Sequence, residues 1–113
     1  MTEAAKAQYW DATAHDEFER YERRQRFINH FAAVLSDRQA AVLAVVAEQC
    51  VDHGHCWLSV GKLADAAFVT NATARRALHA ARKLGLIEMQ GDDIRIVSAE
   101  WQALLREEGR DPQ

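Results

Sequence analysis

LADAAFVTNATARRALHAARKLGLI, residues 63–87, gathers Asn71, Arg75, Arg76, His79, Arg82 and Lys83 into one short stretch of an otherwise acidic chain. Either that face is merely solvated, or it meets something negatively charged. At about 100° per residue, Asn71, Arg82, Arg75, His79, Ala72, Lys83 and Arg76 fall on one helical arc of roughly 140°. Ala74, Ala77, Leu78, Ala81 and Leu84 fill the opposite arc. Small residues on that side let a helix sit close against its neighbour. Thr70 or Asn71 caps this helix, which runs to Leu84 and stops at Gly85, where a left-handed residue costs least in glycine.

Working outward, Cys56-Trp57-Leu58 is short and β-prone, and Ser59 caps a preceding helix, VGKLADAA, expected to bury Val60, Leu63, Ala64 and Ala67. Phe68-Val69-Thr70 is the turn between the two helices. Beyond Gly85, LIEMQ and IRIVS flank the tight turn Gly91-Asp92-Asp93 and read as a β-hairpin. Ser98 caps a last helix with Trp101, Leu104 and Leu105 on one face, and EEGRDPQ frays behind it.

Toward the N-terminus, AAVLAVVAEQCV is apolar on nearly every side, as a helix buried at the centre of a small domain must be; Ser36 and Gln39 form its capping box and Gly54 ends it. A further helix reads from Thr13 to about Val34, with an apolar stripe at Tyr21, Ile28, Phe31, Ala32 and Leu35. Its first half carries the acid-before-base pairs Asp16–Arg20, Glu19–Arg23 and Glu22–Arg26, so it faces water or a second subunit. Residues 1–12 form a loosely held arm, 13–108 one domain, and 109–113 a frayed tail.

Composition narrows the class. A chain of 113 residues, 49% hydrophobic, supports one modest core. MTEAAKAQYWDATAHDEF lacks the basic start and apolar stretch of a signal peptide, and no apolar run approaches the roughly 20 residues of a bilayer span, so a cytoplasmic protein is expected. Reduced thiols at Cys50 and Cys56 follow from that setting. Formal net charge is -3, against indiscriminate coating of nucleic acid, yet residues 59–90 hold 5 basic and 2 acidic side chains.

The basic helix carries what the DNA major groove requires. An Arg fork matches guanine O6 and N7, Asn pairs both ways with adenine N6 and N7, and a helix fits the groove's width. Ser59 and Lys62 open the preceding helix, where free N–H groups and the dipole favour a phosphate. Two helices joined by a short turn, with a strand before and a hairpin after, resemble the winged helix-turn-helix superfamily over residues 56–97. CWLSVGKLADAAFVTNATARRALHAARKLGLIEM is similar in particular to the domains of phage and plasmid replication proteins and their regulatory relatives. In that pattern an aromatic and a Ser open the second helix (Trp57, Ser59), Leu63-Ala64 follow, a small hydroxyl caps the recognition helix (Thr70, with Thr73 three on), and Leu84 to Ile87 lead to the wing. The flanking helices resemble, more weakly, regulators of the multiple-antibiotic-resistance type, whose terminal helices pair two subunits.

The resemblance implies a mainly α, α+β fold with the helix-turn-helix at 59–85 and the wing at 86–97, flanked by an N-terminal and a C-terminal helix. It implies a homodimer on double-stranded DNA that regulates transcription or replication. Asn71, Arg75 and Arg76 would read bases, while Ser59, Lys62, Thr70, Thr73, His79 and Lys83 would hold phosphates. The chain departs from the pattern in having Leu58 where Pro is frequent, and Ala74 and Ala81 where larger apolar residues are usual. Asp92 and Asp93 at the wing tip would repel a phosphate backbone, leaving Arg95 to reach one from the flank.

Other chemistries are thinly marked. Cys50, His53, His55 and Cys56 offer thiolate and imidazole, but C-x2-H-x-H-C is not a zinc-ligand spacing, and no metal or cofactor is expected. No carboxylate pair, nucleophile–base set or phosphate-cradling glycine loop marks an enzyme, and no small-molecule ligand is evident. Tyr9, Trp10, Trp101, Leu104 and Leu105 either build the dimer interface or close the core. The rival class is an adaptor of the same fold that offers its basic helix to an acidic protein.

Overall fold

The computed structural model describes residue 19 and residues 21–107. It is mainly helical with one small antiparallel sheet, an α+β arrangement: α1 over 21–32, α2 Asp37–His53, α3 Val60–Ala67, α4 Asn71–Lys83, β1 Ile87–Gln90, β2 Asp93–Ile96 and α5 Ala99–Glu107. Tyr9, Trp10, Asp16 and Arg20 fall outside the described residues, as do residues 1–12 and 109–113 and the side chain of Leu105. No helix among the described residues is long and apolar enough to cross a membrane.

α2 is the hub. Ser36 accepts from the Gln39 amide and Gln39 reaches back to the Ser36 N–H, which satisfies two donors that would otherwise be orphaned at the helix start. Behind the cap, Ala40 and every residue from Val42 to Ala47 are buried. The helix can be apolar all round because α3, α4 and β2 pack on it from different sides.

α1 reaches the core by the expected Phe31 and Leu35, with Ile28 and Ala32 packed against its edge, but Phe27 takes the inward place expected of Tyr21. Phe27 and Phe31 are fully buried with Leu35 beside them, whereas Tyr21 is 63% exposed. Phe27 meets Trp101 edge-on at a centroid distance of 5.0 Å and Phe31 stacks on the same indole at 6.0 Å, so α5 is clamped to α1. Trp101 is 2% exposed and closes the core of its own chain, which removes it from any dimer interface. Nor is the charged half of α1 simply turned to water: Arg23 pairs with Asp52 and Arg24 with Glu48, both on α2. The helical residues end at 32, and Val34 lies in the turn that follows.

α3 buries Leu63 and Ala64 fully, while Val60 and Ala67, expected inside, are half-buried against the edge of the core. The hairpin pairs Ile87 with Ile96, Glu88 with Arg95, Met89 with Ile94 and Gln90 with Asp93, which leaves Gly91-Asp92 as a two-residue turn. Gly91 has φ 61°, the positive φ at the first central position that matches the right-handed twist of the strands. Asp93 therefore belongs to β2 and not to the hairpin tip. Cys56 adds a single antiparallel bridge to Ile94, joining the segment before α3 to the sheet.

Candidate nucleic-acid interface

α4 starts at Thr70, whose hydroxyl accepts the Thr73 N–H at 3.1 Å and donates to the Thr73 hydroxyl at 3.0 Å. Both functions of the Thr70 hydroxyl are thus committed to capping the helix. The proton of Thr73 is the one left to donate outward. At the other end the Gly85 N–H reaches the Arg82 carbonyl and the Leu86 N–H the Ala81 carbonyl; Gly85 has φ 76°, where a Cβ would be strained.

Between these caps the two arcs separate as the spacing requires. Ala74, Ala77 and Ala81 are completely buried and Leu78 nearly so, packed toward α2 and α3. Asn71, Ala72, Arg75, Arg76, His79, Arg82 and Lys83 are all exposed. One expectation fails: Leu84 is 53% exposed, because it has already left the helix as its C-cap. The side chains of the buried arc are short, so the backbone of α4 approaches its neighbours closely and the long cations stand on the far side. Arg82 and Lys83 lie in the last turn, where a cation also complements the helix dipole.

Ser59 caps α3 by accepting the Lys62 N–H at 3.3 Å, and keeps its own proton for an outside acceptor. Ser59 and Lys62 are exposed at that helix start. Trp57, two residues earlier, is 66% exposed and braced by the His55 ring at a centroid distance of 3.7 Å. Nothing in the residue spacing singles out that pairing.

The hairpin presents its charges differently from the expected acidic tip. Asp93 is half-buried: its Oδ2 accepts from Arg95 Nε at 3.3 Å, and its Oδ1 lies 3.4 Å from His55 Nδ1 without a hydrogen bond. Asp92 alone stands exposed at the turn. Arg95, expected at a phosphate, is 62% exposed at its side chain but flanked by Asp93 and, across the ladder, by Glu88.

Of the cysteine–histidine cluster, Cys50 Sγ lies 3.7 Å from the Ile94 carbonyl, which also accepts the backbone N–H of Cys56 at 2.9 Å. Burial is the main reason the Cys50 thiol is pushed up to about 11, and it raises that of Cys56 in the same direction, so both stay protonated and poor as ligands near neutral pH. Among the described residues no group of three or more His, Cys, Asp or Glu side chains is placed to hold a metal ion. Comparison of the chain with protein families, with curated proteins and with solved structures returns no match.

Proposed function

We propose that this chain is a winged helix-turn-helix protein that binds double-stranded DNA, pairs as a homodimer, and regulates transcription or replication. The observation that carries the reading is the division of α4: an arc of alanines buried at 0% against the core, and an exposed arc with Asn71, Arg75, Arg76, His79, Arg82 and Lys83. A helix of 13 residues seated this way has the length and the free face to lie in a major groove. Asn71, Arg75 and Arg76 occupy its N-terminal half and are assigned to base edges. Ser59, Lys62, Thr73, His79 and Lys83 are assigned to phosphates, which fix register without reading sequence. Thr70 holds the helix start and leaves the phosphate to Thr73. Arg95 supplements these from the hairpin only if phosphate outcompetes Asp93.

Selection of bound fragments from random duplex DNA, followed by a salt titration on the winner, tests this. DNA binding requires log affinity to fall linearly with log salt, by about 0.9 per phosphate neutralised. Arg75→Ala with Arg76→Ala should weaken the selected site while the fold persists. Failure to enrich any duplex, together with capture of an acidic protein by the same α4 face, would establish the adaptor instead.

A further inference from the structure

From Cys56 to Ser59 burial alternates residue by residue: Cys56 is completely buried and Leu58 packs against the core, while Trp57 and Ser59 are exposed. In an extended segment that alternation puts Trp57 and Ser59 on one outward face, roughly 6–7 Å apart along the chain. The segment is fixed at both ends. Cys56 exchanges two backbone hydrogen bonds of 2.9 Å with Ile94 of the hairpin, and Ser59 enters α3 still extended, at φ -66° and ψ 162°.

Trp57 thus keeps a large ring in water on backbone that holds it there. The His55 ring lies against it at a centroid distance of 3.7 Å, and His55 is itself 3.4 Å from Asp93, so the indole is braced before any partner arrives. A ring ordered in the free chain loses little freedom on contact. Next along the row come the Ser59 hydroxyl, with its proton free, and exposed Lys62 in the first turn of α3. The row therefore reads apolar plate, hydroxyl donor, cation. A DNA strand offers the complementary row, deoxyribose followed by phosphate, and both take contacts that position a protein without reading sequence.

We propose that Trp57 packs its indole on the deoxyribose beside the phosphate held by Ser59 and Lys62, and that His55 is the positioning residue that keeps the ring in place. This extends the duplex-binding surface proposed above and rests on that reading. The contact is uncharged and lies on the backbone. It adds affinity without selecting a sequence and without releasing counterions, which sets it apart from the arginines of α4 and from Lys62.

Titration of the full chain against the duplex recovered by selection, and against an unrelated duplex, at several salt concentrations reads it out. Trp57→Ala should weaken binding about tenfold, the size of one well-packed aromatic contact, by the same factor on both duplexes and with the salt slope unchanged. Lys62→Ala should instead lower that slope by about 0.9. Trp57→Phe should recover part of the loss, and His55→Ala should weaken binding in the wild type but add nothing on top of Trp57→Ala. The emission lost in Trp57→Phe belongs to the Trp57 indole, and duplex should shield that emission from iodide. Undiminished binding by Trp57→Ala, a loss confined to the selected duplex, a changed salt slope, or Trp57 emission as open to iodide in the complex as in the free chain would overturn the contact and leave the duplex reading standing. A wild-type chain that enriches no duplex removes both.

Discussion

Arg24 grips Glu48 with two prongs, Nε to Oε1 at 2.6 Å and Nη2 to Oε2 at 2.8 Å, while Nη1 donates to the Ala66 carbonyl at 3.3 Å. One guanidinium thus joins α1 to α2 and to the last turn of α3. The pair is partly exposed, so its Coulomb energy is screened, and the geometry matters more than the charge. Arg24→Ala should destabilise the chain by about 1–3 kcal/mol, because Glu48 is left with a largely buried carboxylate and no such partner. Arg24→Lys keeps the charge but not the fork and should recover less than half of the loss. Urea unfolding of the two variants and of Glu48→Gln checks this; equal stability of Lys and Arg at position 24 would show that charge alone is used.

Neighbouring residues on α4 should respond in opposite ways. Ala77→Leu forces a larger side chain into a site with no exposed surface and should cost about 1–3 kcal/mol or shift the helix outward. Arg76→Ala, one position earlier and exposed, should change stability by no more than about 0.5 kcal/mol. Thermal melts decide it. Comparable losses at both positions would mean that the outward arc is held by contacts within the chain.

The two aspartates of the hairpin should also separate. Asp93→Asn removes the carboxylate shared by Arg95 and His55, loosening the hairpin from the segment before α3 at a cost of about 1 kcal/mol. Asp92→Asn at the exposed turn should leave stability unchanged and, if duplex DNA binds nearby, tighten it severalfold by removing a like charge from the approaching phosphates. Paired melting and gel-shift measurements test both. An Asp92→Asn variant that binds DNA no better would place the turn away from the backbone.

These contrasts mark what sequence patterns convey. α4 is legible to within a residue at each end because alanines and cations alternate with a helical period, and Gly85 punctuates the end. Phe27 is not: it follows the charged run ERYERRQR, and only the meeting with Trp101 shows which side of α1 is inward. Periodicity says that a face is buried, never by what, which is why Trp101 fitted a dimer interface as well as a core. The letters Gly-Asp-Asp suit a two-residue and a three-residue loop alike, and only the strand register moves Asp93 out of the turn. Phe68, at a positive φ of 57° as the C-cap of α3, violates local preference, and no local rule anticipates a residue held against its own propensity.

His30 gives the fold a pH dependence of defined sign. It lies against Phe31 at a ring-centroid distance of 4.8 Å and near Trp101 at 6.2 Å. Burial lowers its pKa below the ordinary histidine value, and the Glu100 carboxylate offsets only part of that shift. In the window just below about pH 6.5 the unfolded chain therefore binds a proton that the folded chain refuses, so stability falls as pH drops through it. Above that window both states hold His30 neutral and the contribution is fully present. His30→Gln should flatten the slope of unfolding free energy against pH between about 6.5 and the folded-state value, and leave the slope above about 7.5 unchanged. Carboxylates add their own slope at lower pH, so the difference between wild type and His30→Gln is the quantity to read, from urea unfolding at closely spaced pH. If the two curves run parallel from pH 7.5 down into the acid range, burial at the joint of α1 and α5 does not control the protonation of His30.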